Sequence, residues 1–263
     1  MSAKIPTRGA LALLLPLALL LAACGDTSDD AEDDTGDEES TSVSFTSPED
    51  GARVAGSVKL VMAAEGLTIE PAGEVRDGAG HFHVIADDGC VEPGAAVAKD
   101  ADHVHFGKGQ SEGAIYLGPG EHELCLQPGD GVHVALDITD TITITVGVET
   151  RDEWCGVVKE VDDLFLAADT SEEEYAVRQG QYGSIQRLIA QLTDADDQID
   201  ASVRADVLSA LEQASEIAGT VAAASDEAAA DAALMDTYGS EGAQPSAAAS
   251  AWILDTCGVD ING

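Results

Sequence analysis

All six histidines of this 263-residue chain, His81, His83, His103, His105, His122 and His133, lie between positions 81 and 133. Four of them form His-X-His pairs, in Gly80-His81-Phe82-His83 and in Asp102-His103-Val104-His105. On a β-strand, residues i and i+2 leave the same face roughly 7 Å apart. Two imidazoles so placed can turn onto one ion at about 2.0 to 2.1 Å each. Two pairs, or one pair joined by His122 or His133, supply the three or four ring nitrogens that Zn(II) or Cu(II) takes, so copper or zinc is the expected cofactor. Met62 is the single methionine between positions 43 and 148, which argues against a thioether site for Cu(I). Asp102, Glu121, Glu123 and Asp130 stand beside these histidines and either orient the rings or belong to a generally acidic surface. A buried hydrogen-bond network of the same rings is the competing expectation.

Other chemistry is harder to find. Ser111 stands in a Gly-X-Ser-X-Gly run, Gly109-Gln110-Ser111-Glu112-Gly113, but this run lies among the short strand-like segments and not at the strand-to-helix turn that a nucleophile elbow needs. His103-Val104-His105 resembles the copper-ligand strand of Cu,Zn superoxide dismutase, but the rest of that pattern is missing, and no enzyme activity is expected. Four cysteines, Cys90, Cys125, Cys155 and Cys257, remain once Cys24 is set aside. An even number in an oxidising compartment predicts two disulfides with three connectivities open, and the domain boundary below favours Cys90 with Cys125 and Cys155 with Cys257. A thiolate metal site would call for CxxC spacing, which is absent.

The histidines must be positioned by strands. From Val43 to Val148, short apolar or alternating runs are separated by Gly, Pro and Asp: Val43 to Phe45, Ser57 to Ala63, His81 to Asp87, Ala114 to Leu117, Glu121 to Gln127 and Thr141 to Val148. In the last, Ile142, Ile144 and Val146 alternate with threonines, as on a strand with one buried face. These runs predict an all-β immunoglobulin-like sandwich over 43–148. From Thr150 the period becomes helical and predicts an all-α, disulfide-tied helical bundle over 150–263. Trp154, Val157, Val158, Val161, Leu164 and Phe165 recur at three- and four-residue steps, with Thr150 and Glu153 as a capping box. Ser171 with Glu174 signals a second start, a third helix runs near Ala201 to Ala222, a fourth follows Ser225, and Ala247 to Cys257 forms the last, closed by Gly258.

Residues 1–23 have the make-up of a lipoprotein signal peptide. Lys4 and Arg8 precede an apolar run that is shorter than the roughly 20 residues a spanning helix needs. Leu21-Ala22-Ala23-Cys24 resembles the bacterial lipobox, so Cys24 is the expected lipidation site, and several acyl chains on one residue suffice for a stable membrane anchor. Residues 24–42 then read as an acidic linker. The chain carries 50 acidic and 12 basic residues, a formal net charge of -38. Such a chain repels nucleic acid and attracts cations.

The strings Phe45-Thr-Ser-Pro-Glu-Asp-Gly-Ala, Glu70-Pro-Ala-Gly, Gly80-His-Phe-His, His105-Phe-Gly-Lys-Gly-Gln, Pro119-Gly-Glu-His-Glu-Leu and Ile142-Thr-Ile-Thr-Val together resemble the bacterial domain of unknown function 4399, over about residues 43–148. The resemblance places His81, His83, His105 and His122 on the family's histidine motifs and His133 on its late histidine, with His103 fitting less well and Cys90 and Cys125 as a local addition. It implies an exported domain without naming a ligand. The helical half resembles the Cys-tied bundles of actinobacterial lipoproteins. The expectation is an extracytoplasmic, lipid-anchored module that binds a divalent transition metal. The alternative is an envelope scaffold with structural histidines and a protein partner.

Overall fold

Alternating valine, leucine and isoleucine make strands here because the branched side chains pack well on a pleated surface. The computed structural model describes residues 40–170, 175–239 and 244–261. The strands are β1 (Ser42–Ser47), β2 (Arg53–Val54), β3 (Val58–Glu65), β4 (Thr68–Ile69), β5 (Ala79–Ala86), β6 (His103–His105), β7 (Glu112–Ile115), β8 (Gly120–Gly129) and β9 (Asp140–Val146). One sheet runs β1-β3-β7, and the other runs β2-β9-β8-β5-β4 with β6 also paired to β5. Val58, Leu60, Phe82, Val84, Leu124, Leu126 and Ile144 fill the core between them.

The immunoglobulin-like sandwich is not what forms. The strands build a strongly curled, mixed half-barrel, in which β2 pairs with β9 in parallel and β4 pairs with β5 in parallel. The physical reason lies in β5, which is buried along its whole length. A sandwich strand turns one face to solvent. In β5, Phe82 and Val84 enter the core, while the opposite face carries His81 and His83 and is covered too. The rings of His105 and His133 lie against that face, and the segments around 70–74 and 129–136 are joined by Gly73 N donating to Gly131 O at 2.8 Å.

Among the described residues five α-helices follow: α1 (Arg151–Thr170), α2 (Tyr175–Asp194), α3 (Arg204–Ala223), α4 (Glu227–Tyr238) and α5 (Ala247–Cys257). The capping box of α1 is present, with Glu153 N donating to Thr150 Oγ1 at 3.2 Å and Thr150 N donating to the Glu153 carboxylate at 3.2 Å. Gly258 closes α5 in the left-handed region at φ 72°. The second helix start expected at Ser171 and Glu174 lies outside the described residues, as do the signal segment, Cys24 and the linker up to position 39.

These helices do not make the self-contained bundle that their periodicity predicts, because α1 and α2 spend part of their surface on the strands. Tyr116 and Val148 pack into the helical core built on Trp154, Ile185, Leu188 and Leu192. The fully buried Gln191 accepts from Gly56 N at 2.8 Å and donates to Gly56 O at 3.1 Å and Leu117 O at 2.9 Å. Glu160 accepts from Ser57 N at 2.8 Å and Ser57 Oγ at 2.9 Å. Residues 39–263 form one compact unit. The cysteines pair as expected, Cys90 with Cys125 and Cys155 with Cys257, at Cα separations of 5.5 and 5.0 Å. Among the described residues no helix is long and apolar enough to cross a membrane.

Candidate metal centre

The pleat of β5 sends His81 and His83 to the face opposite Phe82 and Val84. Antiparallel pairing sets His105 of β6 directly beside His83. The fourth ring arrives from a turn. After β8, Asp130 Oδ1 accepts from Val132 N and Val134 N, each at 2.9 Å, and Asp130 O accepts from His133 N at 3.0 Å. This knot holds His133 at φ 71°, a backbone region that non-glycine residues seldom occupy, and brings its ring over the sheet.

His81, His83, His105 and His133 thereby converge, and each offers a ligand atom within 4.8 Å of all the others. Their ring centroids lie 4.7 to 5.7 Å apart, and His105 Nε2 is 3.1 Å from His133 Nε2. His81 and His83 are 0% and 1% exposed. Both ring nitrogens of His81 and Nδ1 of His83 are buried with no hydrogen-bond partner. Buried polar atoms left in this state cost about 1 to 3 kcal/mol each, a cost that coordination removes. Burial, followed by the neighbouring rings, pushes His81 down to about 4 and His83 down to about 3, and burial also lowers His105. Neutral imidazole is the form that ligates a metal.

The remaining two expected ligands are placed elsewhere. His103 Nδ1 is 2.8 Å from Asp100 Oδ1, and Asp102, the neighbour expected to orient it, instead pairs with Arg187 at 3.0 Å. His122 is held at both nitrogens, by Asp87 Oδ2 at 2.7 Å and Gly118 O at 2.9 Å. Each of these two rings has its own partners and stands outside the convergent group.

Two glycines that the sequence reading passed over make the site fit. A Cβ at Gly107 would overlap the His105 ring, and one at Gly129 would lie 2.8 Å from His83 Cε1 and 3.4 Å from the His133 Cα. The signal was visible as Gly107 two residues after His105 and as Gly129-Asp130-Gly131 before His133, but clearance for a ring is a property of the folded chain.

The arrangement can hold one ion in a set of neutral nitrogen donors, two buried and two half-exposed. Imidazole donors suit transition metals, zinc, copper, iron and nickel among them, and not the oxygen-seeking Ca(II) or Mg(II).

The solved structure of the endo-beta-1,4-mannanase from Thermotoga petrophila is similar at 20% identity over 43% of this chain, with a TM-score of 0.27. The match spans 21% of that protein, and a likeness of this extent bears on neither the fold nor the function of this chain. No curated protein matches the chain. Residues 60–147, a span that contains all six histidines, match the model of the domain of unknown function DUF4399, so the chain carries a domain of that family over this span.

Proposed function

We propose that this protein is an extracytoplasmic metal-binding lipoprotein, anchored through Cys24, that holds a single Zn(II) or Cu(II) ion in the four-histidine centre. The observation that carries the reading is the convergence of His81, His83, His105 and His133 with buried ring nitrogens left unpartnered. A hydrogen-bond network, the competing expectation, would satisfy those atoms. The two disulfides support an oxidising compartment. The net charge of -38 supports cation capture from outside the cell. Binding rather than catalysis is the proposed role, in storage, delivery or structural use of the ion.

The test uses the soluble chain from Gly25 onward, which contains the compact unit 39–263. Titration calorimetry with Zn(II) and with Cu(II), followed by elemental analysis after desalting, is expected to give one ion per chain with micromolar or tighter affinity. Absence of binding for both ions would end the reading.

A further inference from the structure

Two of the four ring positions depend on the long excursion that leaves β5 at Asp87 and returns at β6. Its return carries His105. Its middle lies along the segment that carries His133: Val97 N donates to His133 O at 2.9 Å, Ala135 N donates to Ala95 O at 2.8 Å, and Gly94 N donates to Ala135 O at 2.8 Å. Its start is fixed at two points on β8. Val91 N donates to Gln127 Oε1 and Gln127 Nε2 donates to Val91 O, both at 2.8 Å, while Gln127 itself is fully buried beside His83. One residue earlier, the Cys90–Cys125 disulfide ties the excursion covalently to the same strand. Cys125 is 1% exposed, whereas Cys90 lies on the surface, with its sulfur 3.7 Å from the Thr141 hydroxyl. A disulfide between one buried and one exposed cysteine offers an incoming thiol its exposed side, that of Cys90.

We propose that Cys90–Cys125 is a reducible latch on the metal centre, read by an extracytoplasmic dithiol, and that opening it lowers the affinity of the four histidines for their ion. The proposal rests on the metal-site reading above. A thiolate of the dithiol attacks Cys90 Sγ, the Cys90–Cys125 bond breaks, and Cys125 leaves as a thiolate that takes up a proton. The second thiol of the reductant then displaces Cys90, which is released as a thiol, and the reductant leaves as a disulfide. Two electrons and two protons pass to the protein. The segment 90–97, then held by hydrogen bonds alone, pins the His133 segment less firmly, while His81 and His83 stay fixed on β5.

The experiment measures Zn(II) affinity by chelator competition on the full-length chain in detergent, for the oxidised wild type, for Cys90→Ser/Cys125→Ser and for Cys155→Ser/Cys257→Ser. Removal of the latch is expected to weaken binding by about 10- to 100-fold, the usual effect of losing support around ligands. The second variant keeps wild-type affinity. In histidine NMR spectra of the latchless chain the His133 ring resonance moves and that of His122 does not. A wild type that binds zinc, with a latchless variant that binds it equally well, overturns the latch and leaves the metal centre standing. A wild type that binds no zinc or copper overturns both. If circular dichroism shows the latchless variant unfolded, oxidised zinc-loaded wild type is treated with a phosphine reductant, alkylated and mapped. Modification of Cys90 ahead of Cys155 and Cys257, with zinc release tracking it, supports the latch. Zinc release that does not follow Cys90 modification overturns it.

Discussion

His83, paired with β6 and β8, and His122, paired with β9, are both strand histidines, and they separate ligation from support. Replacing His83 by alanine removes a donor from the convergent group, and zinc affinity in titration calorimetry is expected to fall by more than about 100-fold, beyond what a supporting contact costs. Replacing His122 by alanine removes bonds to Asp87 and Gly118, so it costs about 1 kcal/mol of stability and leaves affinity unchanged. Equal losses of affinity in the two variants would show that the rings act through folding. The buried rings also set an acid limit for the metal-free protein. His81 stands at about 4 and His83 at about 3 in the folded chain because burial disfavours their charged forms, and both return to about 6.5 on unfolding. Below pH 6.5 the unfolded chain therefore binds protons that the folded chain refuses. The stability contributed by keeping these rings neutral is complete above pH 6.5 and is lost as pH falls towards 4, by up to about 1.4 kcal/mol per unit for each ring. Urea melts of metal-free protein at pH 7 and pH 5, with His81→Phe/His83→Phe as the reference, check this; parallel losses in both proteins would assign the acid sensitivity to other groups.

At the level of elements, Gln191 of α2 is the polar bolt between helices and strands. Its amide meets Gly56 at both backbone groups and Leu117 at its carbonyl. Gln191→Ala leaves those buried groups unpaired, at about 1 to 3 kcal/mol each before relaxation, and an overall loss of about 3 kcal/mol is expected in urea unfolding. A loss below about 0.5 kcal/mol, the range of ordinary surface changes, would show that the contact is incidental. This bolt marks where sequence reading stops. The alternation of Ile142, Ile144 and Val146 gave the buried face of β9, the capping residues gave the start of α1, and Gly258 gave the end of α5, because each of these is a local signal within a few residues. The parallel pairings of β2 with β9 and β4 with β5 involve strands of two residues, too short to leave a periodic trace. They belong to the mixed pairing that departs from the expected sandwich. In the same way the Gly-His-Phe-His pattern exposed the pair on β5, whereas the entry of His133 depends on a left-handed residue in a turn, and the exclusion of His103 and His122 depends on aspartates, Asp100 and Asp87, that the flanking sequence did not single out.

For the whole molecule, the proposed anchor and the proposed metal centre make independent demands on the chain. The compact unit 39–263 closes both hydrophobic cores, both disulfides and all four converging histidines within itself. The four histidines therefore make no demand on a membrane, and the proposed anchor would hold a highly acidic protein at a surface whose anionic headgroups would otherwise repel it. Under the proposed reading, acyl chains on Cys24 would supply that hold, since each buried methylene contributes about 0.8 kcal/mol and two chains exceed what a single one sustains. Cys24→Ser is accordingly expected to abolish palmitate labelling and to move the protein from the membrane pellet to the soluble fraction, with zinc affinity unchanged. A wild-type chain that takes no acyl label, together with a Cys24→Ser chain that stays in the pellet after a carbonate wash, would show that the membrane contact is made by another segment. A loss of zinc affinity on the same substitution would show that the two functions are coupled through the linker, against the closure of the folded unit.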